Sequence, residues 1–351
     1  MIPFISEVIF VFLHLLSLYK QIMNGNHHYL PQFYLNGFIG ENEKLYYCRK
    51  QYKTYKDVSP SGIYYKKGLN DIDLGEKGYF DLENDFFMEK DNRYSQAFND
   101  MREKYHYDIN TMPLQVKADI VEFVLGLWWR VPGGLQHVID LFEHEGIVKP
   151  YIDPMGHVYY NDDVPNIIEL MQKDDSYQKI LMPTVYNENI TMHNWFEIEE
   201  KFFIFETFEP LLIGDIPYVP IKTDNKRGKI LEEFMIPLDK NHILIYAKKR
   251  PSFLETNLLY HFDVCVIYGA SEKIVCSDLL YLKEKMDMFE PIIERFHKLG
   301  IDIIKDKLLA PFLEFQSHFD TFEDFETYYK NTDHSKFATP EILNRIINKY
   351  S

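Results

Sequence analysis

Two adjacent histidines open the stretch HHYLPQFYLNGF, residues 27 to 38 of a 351-residue chain. Imidazole exchanges protons near neutral pH and binds metals, so His27 and His28 are the first candidates for general acid/base work or metal ligation. Neighbouring side chains on extended backbone point to opposite faces, so only one of the pair can serve a given site. The plainer reading has one histidine capping the short helix after Pro31 and the other hydrogen-bonding in a packed corner. Arg130 is the second candidate. It follows Leu127 by three residues and Phe123 by seven, which places it on an apolar helix face. A guanidinium cannot lose its proton and is costly to bury without an acceptor. It therefore needs either a carboxylate of the protein or an anionic ligand such as a phosphate. Asp215 is the third. It ends the apolar run LLIGD and precedes Ile216-Pro217, a position that suits an active-site carboxylate and equally a turn cap. It is a natural partner for Arg130 or for a motif histidine.

Between residues 46 and 67, tyrosines alternate with lysines and arginines. Tyr46, Arg49, Lys50, Tyr52 and Lys53 are the candidate nucleic-acid contacts, because bases stack on aromatic rings while cations track phosphates. The alternative is an exposed hairpin with amphipathic tyrosines. Lys222, Lys226, Arg227 and Lys229 read as a solvated loop. His137, Asp140 and His144 share one side of a helix and read as water-facing, as do Glu83 and Glu89. The sequence contains no P-loop, GxGxxG, GxSxG or HExxH motif.

The elements that must hold these groups follow from periodicity and turn signals. Pro31 and Gly37 bracket a short helix. Leu45 to Arg49 reads as a strand and Leu82 to Arg102 as a helix. Val116, Ile120, Phe123 and Leu127 recur at helical spacing, so Leu114 to Arg130 is a helix opened by Pro113 and ended by Pro132-Gly133-Gly134. A second helix covers Leu135 to Glu145. Strands are predicted at Lys201 to Phe208, Pro210 to Val219 (after a tight turn), Phe234 to Pro237, Ile243 to Lys248, Asp263 to Tyr268 and Lys273 to Cys276. Helices return at Leu279 to Phe289, Ile292 to Leu299 and Ile301 to Phe315. The fold class is α+β: a mid-chain, mostly antiparallel sheet with helices before and after it.

Composition sets outer limits. Hydrophobic residues make up 46% of the chain and charged residues 26%, which supports a large core and excludes general disorder. A net charge of −16 excludes indiscriminate coating of nucleic acid. Cys48, Cys265 and Cys276 fit no zinc spacing and form no disulfide framework, which points to a reducing, cytoplasmic setting. Ile2 to Leu18 is apolar but lacks a signal peptide's basic start and is short for a membrane span. Met23 stands just before the paired histidines and is the expected natural start. A real leader would instead anchor the protein to a membrane through residues 2–18. The expected organisation is a leader at 1–22, an α+β domain at 23–285 and a helical extension at 286–351.

The His-His-Tyr-Leu-Pro-Gln-Phe-Tyr-Leu-Asn-Gly-Phe segment resembles the opening motif of a bacterial family known as domain of unknown function 4238. Asn36 stands where that motif has a basic residue. Leu45 to Arg49, Arg130-Val131-Pro132 and Gly214-Asp215-Ile216-Pro217 are similar to its later motifs, in the same order. There Gly214 replaces a serine. The segment near Phe234 to Tyr246 is similar to its Phe-Pro-Leu-Ser stretch. The likeness runs from about Met23 to about Leu280 and implies motif positions rather than a mechanism.

Two functions are compatible with these residues. One is an enzyme of phosphodiesterase type acting on a phosphate-containing substrate, such as a nucleic acid. There His27 or His28 is the acid/base or a divalent-metal ligand, Arg130 holds the anion, and Asp215 orients the histidine or binds a metal. The other is a non-catalytic interaction module in which the same side chains form a structural polar network.

Overall fold

The computed structural model describes residues 26–40, 42–73, 79–131, 195–224, 230–254, 256–298 and 316–331. It also describes residues 133, 134, 136, 139, 179 and 313 and the stretches 151–152, 158–159 and 164–173. The apolar leader, the His137/Asp140/His144 group, nearly all of the expected helix at 301–315 and the basic residues at 226–229 lie outside the described residues.

The paired histidines sit on strand β1 (Asn26–His28), followed by a one-turn helix α1 (Gln32–Leu35) that Pro31 precedes. Next come β2 (Leu45–Arg49), β3 (Thr54–Val58), β4 (Tyr65–Lys67), β5 (Asp71–Asp73) and β6 (Tyr79–Asp81). Helix α2 (Met88–Asn99) is flanked by π-helical turns at Glu83–Phe87 and Asp100–Lys104, so the helix expected at 82–102 forms with widened ends. Helix α3 (Leu114–Arg130) has the predicted bounds. A Cβ on Gly134 would fall 2.3 Å from the Trp129 carbonyl oxygen, so only glycine lets the chain turn back over the end of α3. A small hairpin, β7 (Tyr151–Ile152) with β8 (Val158–Tyr159), and helices α4 (Val164–Lys173) and α5 (Trp195–Lys201) lead into the mid-chain strands.

Those strands are β9 (Phe202–Glu206), β10 (Ile213–Gly214), β11 (Val219–Asp224), β12 (Ile230–Pro237), β13 (His242–Tyr246) and β14 (Lys273–Cys276). They form two antiparallel four-stranded sheets, ordered β11-β12-β13-β9 and β10-β14-β2-β3. The expected hairpin across 201–219 does not form. β9 pairs with β13, whereas Ile213–Gly214 crosses to the second sheet against β14. Helix α6 (Thr256–Gly269) replaces the strand predicted at 263–268. Its apolar run is β-branched, but Phe262, Val264, Cys265, Val266 and Ile267 are all buried. Tertiary packing there overrides the strand preference of Val264, Val266 and Ile267. Helix α7 (Leu279–Lys298) runs through Pro291 and merges the two short helices expected there. Helix α8 (Phe322–Lys330) is the last described element. Among the described residues no helix is long and apolar enough to cross a membrane.

The sheet β11-β12-β13-β9 divides two cores. Phe234 and Ile236 of β12 and Leu244 and Tyr246 of β13 face a core built on α1, α2 and α3. Met235, Ile243 and Ile245 face a core built on α6 and α7. Strand alternation therefore assigns consecutive apolar residues to different cores, which is why these strands read as unbroken apolar runs.

Candidate functional site: the polar network beneath the paired histidines

Strand β1 pairs with β4, opposing His27 to Lys66 and His28 to Tyr65. Alternation turns His27 inward, where it is 4% exposed, and leaves His28 half-buried at the rim. The His27 Nδ1 accepts a hydrogen bond from the Asn70 backbone N–H at 2.9 Å. A neutral imidazole has one lone pair and one N–H, so the hydrogen sits on Nε2. That Nε2 faces Asp71 Oδ1 at 3.5 Å and Asp81 Oδ1 at 4.0 Å, on opposed positions of the β5–β6 hairpin. His28 donates from Nε2 to the Ser61 carbonyl at 3.2 Å.

Arg130 ends α3 with its guanidinium almost wholly buried and both terminal nitrogens hydrogen-bonded. It binds both oxygens of Asp91, at 2.7 and 3.1 Å, and reaches the His28 carbonyl at 3.4 Å. Glu83 lies 3.8 Å away, and the guanidinium lies 4.2 Å from the centroid of the Phe87 ring. Glu83 in turn accepts from the Asn70 side chain at 2.6 Å. His27, Asn70, Glu83, Arg130 and Asp91 thus form one continuous chain of contacts. The sequence placed a motif histidine with Arg130, and the structure joins them through Asn70 and Glu83. Glu83 was expected on a solvated face. Its place in the first π-turn instead aims it inward. Asn70, Asp71, Asp81 and Asp91 went unnoticed, because Asn70-Asp71 reads only as a turn signal and Asp81 and Asp91 follow no recognisable spacing.

Asp215 takes no part in this chain. It is fully buried and accepts from the Ser271 N–H at 2.7 Å, the Ser271 hydroxyl at 2.6 Å and the Glu272 N–H at 2.7 Å. Its carboxylate pins the turn between α6 and β14, rather than meeting Arg130 or a motif histidine. Within the motif its charge is felt at Tyr29, whose phenol is pushed well up by burial first and then by the Asp215 and Glu272 charges.

The aromatic and basic region is spent largely on the protein itself. Tyr46 accepts from Asn42, and Lys53 pairs with Glu290 at 3.1 Å. Lys50 donates to the carbonyls of Ile267, Tyr268 and Ala270 at 2.7, 3.3 and 3.0 Å, which caps the C-terminus of α6. Arg49 and Tyr52 are exposed.

Another histidine has the opposite wiring. In the β12–β13 turn, His242 donates from Nδ1 to Asp239 at 3.0 Å, and its ring stacks on Tyr107 at 3.5 Å and 7°. Burial alone would raise the Asp239 carboxyl, but bonds from His242 and Tyr107 hold it below its ordinary value. His106 and Tyr107 both adopt positive φ, +46° and +61°. The aspartate three residues before a histidine was the overlooked signal.

Ligand-type atoms of His27, Asp71 and Asp81 lie within 4.8 Å of one another, as a divalent cation would require. Asp71 Oδ1 is buried and accepts no hydrogen bond, which a cation would relieve. The nitrogen argues against such an ion. Nε2 carries the hydrogen, so ligation through it would require Asn70 to give up Nδ1.

Taken together, fold and site define an α+β protein built on two four-stranded antiparallel sheets with a largely buried His/Arg/Asp network. The chain belongs to the family described as "Protein of unknown function (DUF4238)", whose profile matches residues 26–278. Comparison with curated proteins finds no match, and neither does comparison with solved structures.

Proposed function

We propose that this protein is a non-catalytic interaction module whose His/Arg/Asp residues form a structural polar network. One observation carries this reading: the buried groups that chemistry would need are already occupied. His27 accepts from backbone at Nδ1, Arg130 grips Asp91 with two nitrogens, and Asp215 takes three donors. A phosphodiesterase would need the first as a base or ligand and the second for the phosphate. Binding is assigned instead to exposed apolar side chains. Phe208 is fully exposed and Leu280 is 77% exposed. Each precedes a residue of the Tyr281–Glu209 hydrogen bond, 3.2 Å long, which brings both to one part of the surface. The three buried free cysteines support a cytoplasmic location.

Substitution separates this reading from catalysis. Arg130→Ala strands the Asp91 and Glu83 charges and is expected to cost about 3 kcal/mol in urea unfolding. Asp215→Ala orphans three donors and is expected to cost about 2 kcal/mol or more. His28→Ala, at the rim, is expected to cost under about 1 kcal/mol. Unchanged unfolding midpoints for Arg130→Ala and Asp215→Ala would overturn the structural role and restore the enzyme hypothesis.

A further inference from the structure

Asp263 on α6, Tyr281 and Lys285 on α7, and Glu209 in the loop after β9 meet far along the chain from the histidine motif. The Tyr281 hydroxyl lies 3.0 Å from Asp263 Oδ2 and 3.2 Å from Glu209 Oε2. A phenol has one hydrogen and can donate to only one of two carboxylates. At these distances the second contact needs a hydrogen from the acid itself. Asp263 is 1% exposed whereas Glu209 is partly exposed, so the extra proton belongs on Asp263. The order is then Asp263 O–H to Tyr281 oxygen, and Tyr281 O–H to Glu209.

Charge balance agrees. The Lys285 ammonium is buried, 3.7 Å from Glu209 and over the rings of Tyr260 and Tyr281 at 4.0 and 4.7 Å. Lys285 and Glu209 cancel, which leaves a neutral Asp263 uncharged between them. Among the described residues, Cys276 and Asp278 also bear on the cluster, and neither adds positive charge. Cys276 on β14 is pushed up to about 12, by burial first, and stays a thiol. Asp278, in the turn before α7, is spent on the Leu280 and Tyr281 N–H groups at 2.7 and 2.9 Å.

We propose that Asp263, Tyr281 and Glu209 form a one-proton clasp that fastens the first turns of α7 to α6 and to the β9 loop, and that this clasp loosens as pH rises toward neutrality. Burial pushes Asp263 up to about 7, against the opposing pull of Lys285 and Tyr281. The sign follows from linkage. Between its ordinary value of 3.8 and about 7, the closed clasp holds a proton that an opened, solvated Asp263 releases. Rising pH therefore favours opening across that window and has no further effect above it.

Hydrogen exchange of α7 amides, corrected for intrinsic rates, measures the opening. The full chain is expected to open about tenfold more at about pH 8 than at about pH 6. Asp263→Asn keeps a donor toward Tyr281 without a titrating group, and its corrected exchange is expected to be flat with pH. Tyr281→Phe, which removes the shared hydroxyl but not the acid, is expected to exchange faster at both pH values. Equal protection of the parent at both pH values overturns the clasp, as does an Asp263→Asn variant that keeps the tenfold change. Protection in Tyr281→Phe equal to that of the parent also overturns it.

Discussion

What a histidine can do depends on which nitrogen is left over. His27 and His242 show the two outcomes in one chain. A backbone N–H consumes the Nδ1 lone pair of His27, whereas Asp239 accepts from the Nδ1 of His242. The sequence drew attention to the paired histidines because they stand together, but hydrogen-bond direction is a tertiary property that adjacency cannot encode. The sequence left the partner of Arg130 open between a carboxylate of the protein and an anionic ligand, and could not single out Asp91, since the contact joins two helices. Cysteines follow the same logic of access. Burial pushes the Cys48 thiol up to about 11 and Cys276 up to about 12, and Cys265 is buried as well. All three are expected to resist alkylation by iodoacetamide in the native state at about pH 8 and to react once unfolded, because the thiolate is the nucleophile. Mass spectrometry of the labelled protein checks this, and rapid native labelling of any one would contradict it.

At the scale of elements, sequence was most informative where turn residues punctuate both ends: Pro113 and Pro132-Gly133-Gly134 bound α3, although its residues 116–130 are all buried. Helix α3, strand β2 and the helix from 82 were placed closely, while β13 and β14 were found as apolar runs. Helix α6 was misread because Val264, Val266 and Ile267 favour a strand by local preference, and β10 because its partner β14 lies some sixty residues away in the chain. Gly214 illustrates how tightly that pairing is built. A Cβ there would lie 3.0 Å from the Ala270 Cβ and 3.3 Å from the Ile216 carbonyl oxygen. The serine found at this place in the resembling motif would need Ala270 or the turn to shift. Gly214→Ser is expected to destabilise by about 1–2 kcal/mol, with Gly214→Ser/Ala270→Gly recovering part of the loss. Urea midpoints of the single and double variants provide the check.

The whole molecule carries a net charge of −16. Its ion pairs, such as Arg130 with Asp91, are local, while the excess acid repels itself over long range. Raising ionic strength from about 0.01 M to about 0.15 M shortens the screening length from about 30 Å to about 8 Å. The melting temperature is expected to rise over that interval, as self-repulsion weakens more than partly buried pairs do. A scanning calorimetry series in sodium chloride would show it, and a falling temperature would mean that exposed pairs dominate instead. The α+β class was legible from the order of elements, yet the two-core arrangement was not. It rests on which neighbour each strand chooses, and pairing over long separations leaves no local mark.

The sheet shared by both cores bears on how the chain can be cut. Phe234 and Met235 are consecutive residues with opposite allegiances, so neither half keeps a complete interior without the other. A gene fragment stopping after residue 224 would carry β11 without β12 and leave α3 facing water where Phe234 and Ile236 had been. Such a piece would lack the wall that both sides lean on, so the indivisible length of this protein includes the strands well past its midpoint.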